Sequence, residues 1–164
     1  MKVSDEFLEL TKQHHGIVTK ICRVYCDDPD DRQDLFQEIM LQLWKSFGSF
    51  QHRSKFSTWL YRVALNTAIG HLSKRKKRVP TDDIEGKENH WSHQPEETKV
   101  DEDITRMYQA IARLSEVEKA LVTMYLEEHS YEEMEEVLGI NDNNLRVKMH
   151  RIKDRLKKIM GEMP

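Results

Sequence analysis

One narrow helical strip near the middle of the chain carries side chains that suit a nucleic-acid strand. When residues 56–73 are placed on a helix at about 100° per residue, two sides are apolar, as expected for the central helix of a bundle. Cations on the remaining strip can contact phosphates, an indole can stack on a base, and an amide can bond a base edge. A solvated face on a core helix explains the strip alone equally well. The strip contains no acid and consists of Lys55, Trp59, Arg62, Asn66 and Ser73.

A second candidate nucleic-acid surface lies near the C-terminus. Ser130-x-x-Glu133 predicts a capped short helix that stops at Gly139, and Asn141 can cap a longer basic helix after it. A short helix, a glycine turn and a longer basic helix together predict a helix-turn-helix. The start of its recognition helix would enter a major groove, where arginine can bond guanine edges. We expect it to expose Arg146, Val147, Lys148, His150 and Arg151. The alternative is an ordinary helical hairpin with a solvated basic face.

A third candidate surface belongs to the helix predicted from Pro29 to Phe47. One wide side of this helix is apolar, whereas the opposite side surrounds a single leucine with polar groups. Such a leucine is often without function, but it is also how a partner helix docks on a polar-rimmed surface. The candidate docking residues are Asp34, Gln37, Glu38 and Leu41.

The other reactive side chains do not predict catalysis, a metal site or a cofactor. Cys22 and Cys26 are four residues apart, and with His14 or His15 they match no common zinc spacing. Buried free thiols on a core helix are the favoured interpretation. The acids of residues 27–31 suit the start of a capped helix better than a calcium loop, which needs a glycine and a terminal glutamate.

The elements that hold these surfaces are predicted to be helical throughout. Only four Pro and six Gly occur in 164 residues, and charged residues make up 34%, a composition that favours an all-α protein. Ser4 can cap a first helix that reaches about Tyr25, and the helices described above follow. We expect two small helical domains, residues 1–79 and 103–164, joined by a flexible acidic linker over residues 80–102.

The net charge of −3 hides a segregation of charge along the chain. Nine Lys or Arg and no acid lie between Glu38 and Asp82, and seven lie between residues 146 and 158 against one acid. Six acids crowd residues 127–136. Two basic blocks separated by acidic ones predict two contacts with a polyanion and repulsion elsewhere. No apolar run suits a membrane span or a signal peptide, so we expect a cytoplasmic protein without membrane insertion.

These motifs together resemble a bacterial sigma factor of the small extracytoplasmic-function group. The resemblance covers nearly the whole chain. Its most specific part is residues 56–66, FSTWLYRVALN, which resemble the family's promoter-melting segment. Residues 34–38, DLFQE, with Leu41 and Trp44 resemble the helix that binds core polymerase, and residues 130–151 resemble the C-terminal helix-turn-helix.

The resemblance implies a transcription initiation factor with no catalysis of its own. It implies that the first domain binds the minus-ten promoter element and the clamp helices of RNA polymerase. The second domain would bind the minus-thirty-five element and the polymerase flap, and an anti-sigma factor is an expected partner. The loop from Phe50 to Lys55, with Asn66, corresponds to the pocket for a flipped non-template base. A stand-alone helix-turn-helix regulator is the alternative, but it leaves the Trp59 and Asn66 strip and the Asp34 face without a role.

The start of the recognition helix departs from the family pattern. Residues 141–144 read NDNN, where family members often have a proline followed by glycine and threonine. Asp142 is expected to be unfavourable beside DNA. Glu135 stands where a helix-turn-helix usually has alanine, which predicts looser packing at that corner.

Overall fold

The computed structural model describes residues 3–50, 52–78 and 99–162, and within these ranges the regular structure is helical. The all-α prediction is thus confirmed. Most of the predicted linker, residues 80–102, lies outside the described residues. Eight α-helices and one 3₁₀ turn occur in the described ranges: α1 (Val3–Gln13), α2 (His15–Tyr25), α3 (Pro29–Ser46), the 3₁₀ turn (Phe47–Ser49), α4 (Phe56–Arg78), α5 (Lys99–Ile111), α6 (Glu116–Leu126), α7 (Tyr131–Leu138) and α8 (Asp142–Glu162).

The first four helices form one unit around α4. Helices α2, α3 and α4 pack on one another, and α1 packs on α2. Asp28 caps α3 by accepting a hydrogen bond from the Asp30 backbone N–H at 3.3 Å, with Pro29 in the first turn as predicted. The single N-terminal helix predicted from Ser4 is wrong, because the helix breaks at His14. The His14 ring instead donates from Nδ1 to the Leu10 carbonyl at 2.8 Å.

The last four helices form a second unit around α8, which contacts α5, α6 and α7. Both predicted capping boxes are present, at Ser115 before α6 and at Ser130 before α7. Gly139 ends α7 in the left-handed conformation at φ 69°, and Asn141 accepts from the Asn143 backbone N–H at 2.8 Å to begin α8. These local signals build the predicted helix-turn-helix from α7 and α8.

The two units pack against each other, with α2 and α4 facing α5, α6 and α7. The Tyr25 hydroxyl donates to the Glu116 carbonyl at 2.7 Å, and the Arg23 guanidinium lies 4.2 Å from the centre of the Tyr108 ring. The buried side chains of both units belong to a single hydrophobic cluster. We call this contact between the two units the closed interface.

No helix in the described part of the chain is both long enough and apolar enough to cross a membrane.

Candidate nucleic-acid and partner interfaces

The loop in front of α4 borders a cavity of about 490 Å³. Phe50 is half-buried and Lys55 is exposed, and both line the cavity. His52 has a positive φ of 57° and packs its ring 4.4 Å from the Phe50 ring centre. The remaining lining residues are Glu6, Glu9, Leu10, Gln13, Ser54 and Phe56, so one wall of the cavity comes from α1 and Asn66 does not contribute.

Trp59 does not present a free aromatic face, and its predicted exposure is wrong. Its side chain is 9% exposed, and its ring centre lies 5.2 Å from Phe50, 5.5 Å from Phe56 and 6.1 Å from Phe47. Trp59 therefore supports the loop from below, whereas Phe50 and Phe56 both line the cavity. A helical wheel of α4 cannot show this, because two of the three covering rings, Phe47 and Phe50, come from the preceding turn and loop.

Arg62 and Asn66 both lie on the exposed side of α4, as predicted. The Arg62 guanidinium, however, donates from Nη2 to the Glu136 carbonyl of α7 at 2.6 Å. That carbonyl lies in the last turn of α7, where the helix dipole places partial negative charge. A backbone carbonyl of the second unit therefore binds Arg62, the cation that we predicted would contact a phosphate.

The candidate docking surface on α3 has the predicted exposure. Leu41 is 44% exposed. Asp34 and Gln37 are exposed around it, and Glu38 is half-buried and accepts from the Gln42 amide at 3.2 Å. An apolar side chain with a polar and acidic rim offers one anchor and several hydrogen-bond acceptors to a partner. Trp44, three residues after Leu41 on α3, is 49% exposed and packs edge-on against Phe7.

All five predicted recognition residues at the start of α8 are exposed: Arg146, Val147, Lys148, His150 and Arg151. They lie on the side of α8 opposite the buried residues Leu145, Met149 and Ile152. Lys148 and Arg151 also line a small cavity of about 220 Å³ beside Ser115 and Val117 at the start of α6.

Two contacts hold Arg146 in place. Its Nε donates to Asp142 Oδ1 at 2.7 Å, and its guanidinium carbon lies 4.5 Å from the centre of the Tyr131 ring. The periodicity of α8 does not predict the contact with Tyr131, because the ring approaches from α7. His150 forms a similar but longer pair with Asp154, at 3.5 Å on the same helix.

Both cysteine side chains are buried, and the two do not form a disulfide. Burial, with the nearby Cys26 sulfur, raises the pKa of Cys22 to about 12, while the charge of Arg32 opposes the rise. A thiol that stays protonated is a poor nucleophile and metal ligand. No cluster of His, Cys, Asp and Glu suited to a metal ion occurs among residues 3–50, 52–78 and 99–162.

Each of the two units matches a region of a known protein family. Residues 10–78 match sigma-70 region 2, and residues 104–156 match sigma-70 region 4. The first match contains the α3 surface and the loop before α4, and the second contains the helix-turn-helix.

Curated relatives align with most of the chain. The chain is 32% identical to the ECF RNA polymerase sigma-E factor of Haemophilus influenzae over 136 aligned residues. The alignment covers 76% of this chain and 72% of that protein. It is 29% identical over 164 residues to the RNA polymerase sigma-H factor of Pseudomonas aeruginosa, covering 93% of this chain and 84% of that protein. Its identity to the ECF RNA polymerase sigma factor SigW of Bacillus subtilis is 24% over 170 residues, covering 97% and 91%.

Solved structures share the fold at low sequence identity. The sigma factor RpoE from Bartonella quintana, in complex with the anti-sigma factor NepR, superposes with a TM-score of 0.73 at 15% identity, covering 97% of this chain and 99% of that one. CnrH, in complex with the cytosolic domain of CnrY, superposes with a TM-score of 0.68 at 15% identity, covering 98% and 91%. The matched regions, the relatives and the shared fold agree: this chain belongs to the extracytoplasmic-function sigma factors of the sigma-70 family, transcription initiation factors that direct core RNA polymerase to specific promoters.

Proposed function

We propose that the three surfaces of this sigma factor divide its work between core polymerase and two promoter elements. The Leu41 surface of α3 docks on the polymerase clamp helices. The loop with Phe50 and Lys55, together with Arg62 and Asn66 of α4, receives the non-template strand of the minus-ten element. The start of α8 reads the minus-thirty-five element. The proposed domain boundaries are residues 1–79 and 103–164.

The observation that carries the minus-ten assignment is the cavity beside Phe50. A base that leaves the duplex loses stacking worth a few kcal/mol, so the protein must supply an aromatic surface and polar partners. The cavity of about 490 Å³ offers the Phe50 ring, the Lys55 ammonium and the polar side chains of Ser54 and Gln13, whereas Glu6 and Glu9 place two carboxylates on the α1 wall. Trp59 stabilises this surface from below rather than stacking on a base, which revises its role from ligand to support.

The closed interface implies that the free chain is a poor DNA binder. Arg62 bonds the Glu136 carbonyl, and Lys20 forms an ion pair with Glu127 across the interface. These contacts occupy cations of the first unit that a phosphate backbone would otherwise attract. We infer that binding to core polymerase separates the units and releases Arg62 for the minus-ten strand.

An anti-sigma factor is the proposed regulatory partner, since the sigma factor RpoE, which shares this fold, is described in complex with an anti-sigma factor. CnrH, which also shares the fold, is described in complex with the cytosolic domain of a second protein. Such a partner would stabilise an arrangement in which the two units cannot reach the promoter together. We place the protein in the cytoplasm, where polymerase and promoter DNA are found, and assign it no catalytic activity of its own.

The test of the minus-ten assignment is an Asn66→Ala holoenzyme. Asn66 is exposed on α4, so its replacement is expected to leave folding and polymerase binding unchanged. We expect slower and less complete promoter opening, followed by the fluorescence of 2-aminopurine in the non-template strand. A pre-melted promoter should restore opening only in part, because base capture is lost as well.

The matched control is Gln33→Ala, which removes another exposed amide from the same unit and lies outside the three proposed surfaces. Opening by the Asn66→Ala holoenzyme at the wild-type rate and extent would contradict the assignment of the α4 face. Because Asn66 does not line the cavity, Phe50→Ala tests the cavity in the same assay.

A further inference from the structure

The start of the recognition helix holds one arginine much more firmly than its neighbours. Arg146 Nε donates to Asp142 Oδ1 at 2.7 Å, four residues earlier on α8. The Tyr131 ring of α7 packs under the same guanidinium at 4.5 Å. Both partners come from structured elements, because Asp142 lies in the first turn of α8 and Tyr131 in the first turn of α7.

The geometry of these two contacts determines which donors of Arg146 remain available. A guanidinium carries five N–H donors in a fixed planar fork. Asp142 accepts from Nε, which leaves the outer edge of the guanidinium, formed by one N–H of each terminal nitrogen, outside this bond. A pair of terminal nitrogens is the group that bonds guanine O6 and N7 bidentately in the major groove. The aromatic face fixes the plane of that fork through a cation–π contact.

We propose that Asp142 and Tyr131 are positioning residues that restrict Arg146 to reading a guanine in the upstream promoter element. This rests on the proposed function of α8. Paired with the carboxylate, Arg146 is a weak attractor of phosphates, whereas its free edge still matches a guanine. Asp142, expected from the sequence to be only unfavourable beside DNA, thereby gains a role in specificity.

The neighbouring cations on α8 differ from Arg146 in this respect. Lys148 and Arg151 are exposed and border the small cavity at the start of α6, where the acid that also lines it, Glu118, forms its ion pair with Arg155 at 3.1 Å. His150 is 79% exposed, and its pair with Asp154 is longer, at 3.5 Å. We therefore assign base discrimination to Arg146 and backbone contacts to the Lys148 and Arg151 flank.

The experiment is a selection by holoenzyme from a promoter library randomised in the upstream element, with base preferences measured at each position. Arg146→Ala is expected to abolish a guanine preference at one position. Asp142→Asn, which removes the charge but keeps the size, is expected to reduce that preference about threefold to tenfold, the range of a surface ion pair with an added ring contact. Tyr131→Leu should act in the same direction, and Tyr131→Phe should retain the preference.

A salt titration supplies the readout that a merely structural role would not change. With Asp142→Asn, Arg146 is free to contact phosphates, so binding to all sequences should become slightly tighter and more salt-dependent while discrimination falls. In an Arg146→Ala background, Asp142→Asn should have no further effect on base preference. Glu162→Gln is the matched control, since it removes an exposed acid from the other end of the same helix, away from Arg146 and the other recognition residues.

The outcomes separate the inference from the function on which it rests. If Arg146→Ala changes the base preference at no position of the upstream element, the assignment of α8 to that element is refuted. If Arg146→Ala removes a preference that Asp142→Asn and Tyr131→Leu both leave intact, the positioning role is refuted and the α8 assignment stands. If Asp142→Asn tightens binding to every sequence with an unchanged guanine ratio, Asp142 only repels DNA and the inference is overturned.

Discussion

Weakening the closed interface should make the free chain bind DNA more tightly, even when the change removes a positive charge. The perturbation is the pair Tyr25→Phe and Arg23→Ala on α2. It deletes the hydrogen bond from Tyr25 to the Glu116 carbonyl and the cation–π contact of Arg23 with Tyr108. Neither residue belongs to the proposed polymerase or DNA surfaces.

The expected size of the effect follows from these two contacts. A hydrogen bond of this kind contributes about 1 kcal/mol net, and a partly exposed cation–π contact contributes about 0.5–1 kcal/mol. Together they shift the balance between closed and open forms by about 2 kcal/mol, or about 25-fold at 1.4 kcal/mol per tenfold. If DNA binds only the open form, the apparent Kd falls by up to the same factor.

The assay is fluorescence anisotropy of a labelled minus-ten fork junction titrated with the free chain at fixed salt. Small-angle scattering on the same samples reports the separation of the units. The control is Lys12→Ala, which removes an equal charge from an exposed position on α1 and should weaken binding slightly. The reasoning is refuted if the double variant expands in scattering but binds DNA no better than the Lys12→Ala control.

Three further outcomes are expected. The double variant Leu41→Ala and Glu38→Ala should weaken binding to core polymerase by about 1–3 kcal/mol, measured by titration, while its circular dichroism spectrum stays native. An unchanged affinity would refute the assignment of the α3 surface to polymerase binding. Trp59→Ala should lower the free energy of unfolding by about 3–5 kcal/mol in urea, whereas an effect on promoter opening alone would restore Trp59 as a base-stacking residue. The pKa of Glu133 is lowered because the Ser130 backbone N–H donates to its carboxylate; its stabilisation is therefore present above the unfolded-state pKa and lost as the pH falls through the folded-state pKa. In Glu133→Gln, Tm should fall less steeply as the pH is lowered. The same fall as in the wild-type protein would contradict this role of Glu133.

Local signals in the sequence predicted the helices and most exposed surfaces. The capping boxes, Pro29 and Gly139 each act through the backbone of adjacent residues, so a sequence pattern contains all the information they need. The same holds for Leu41 and the α8 residues, because apolar periodicity places them opposite a buried face. The roles proposed for these exposed residues remain predictions.

The wrong predictions involve contacts between elements that are distant in the sequence or joined by irregular turns. Trp59 lies on a polar strip of its own helix, yet rings from the preceding turn and loop cover it. At the break, the His14 ring packs 5.1 Å from the Phe56 ring of α4, a contact that the apolar periodicity of the first helices does not predict. The wall that α1 gives to the cavity, and the Tyr131 ring under Arg146, likewise depend on how helices pack.

The acidic segment at residues 127–136 shows how the same charges act differently in the folded chain. Its six acids predicted simple repulsion of DNA. In the structure, Glu127 pairs with Lys20, and the Glu136 carbonyl accepts from Arg62. His129 of this segment also packs its ring 4.6 Å from the buried Tyr61 of α4. The segment therefore contacts two cations of the first unit, one through a carboxylate and one through a backbone carbonyl. We expect it to oppose DNA binding by competing for these cations as well as by repulsion, so separating the two units should relieve both effects at once.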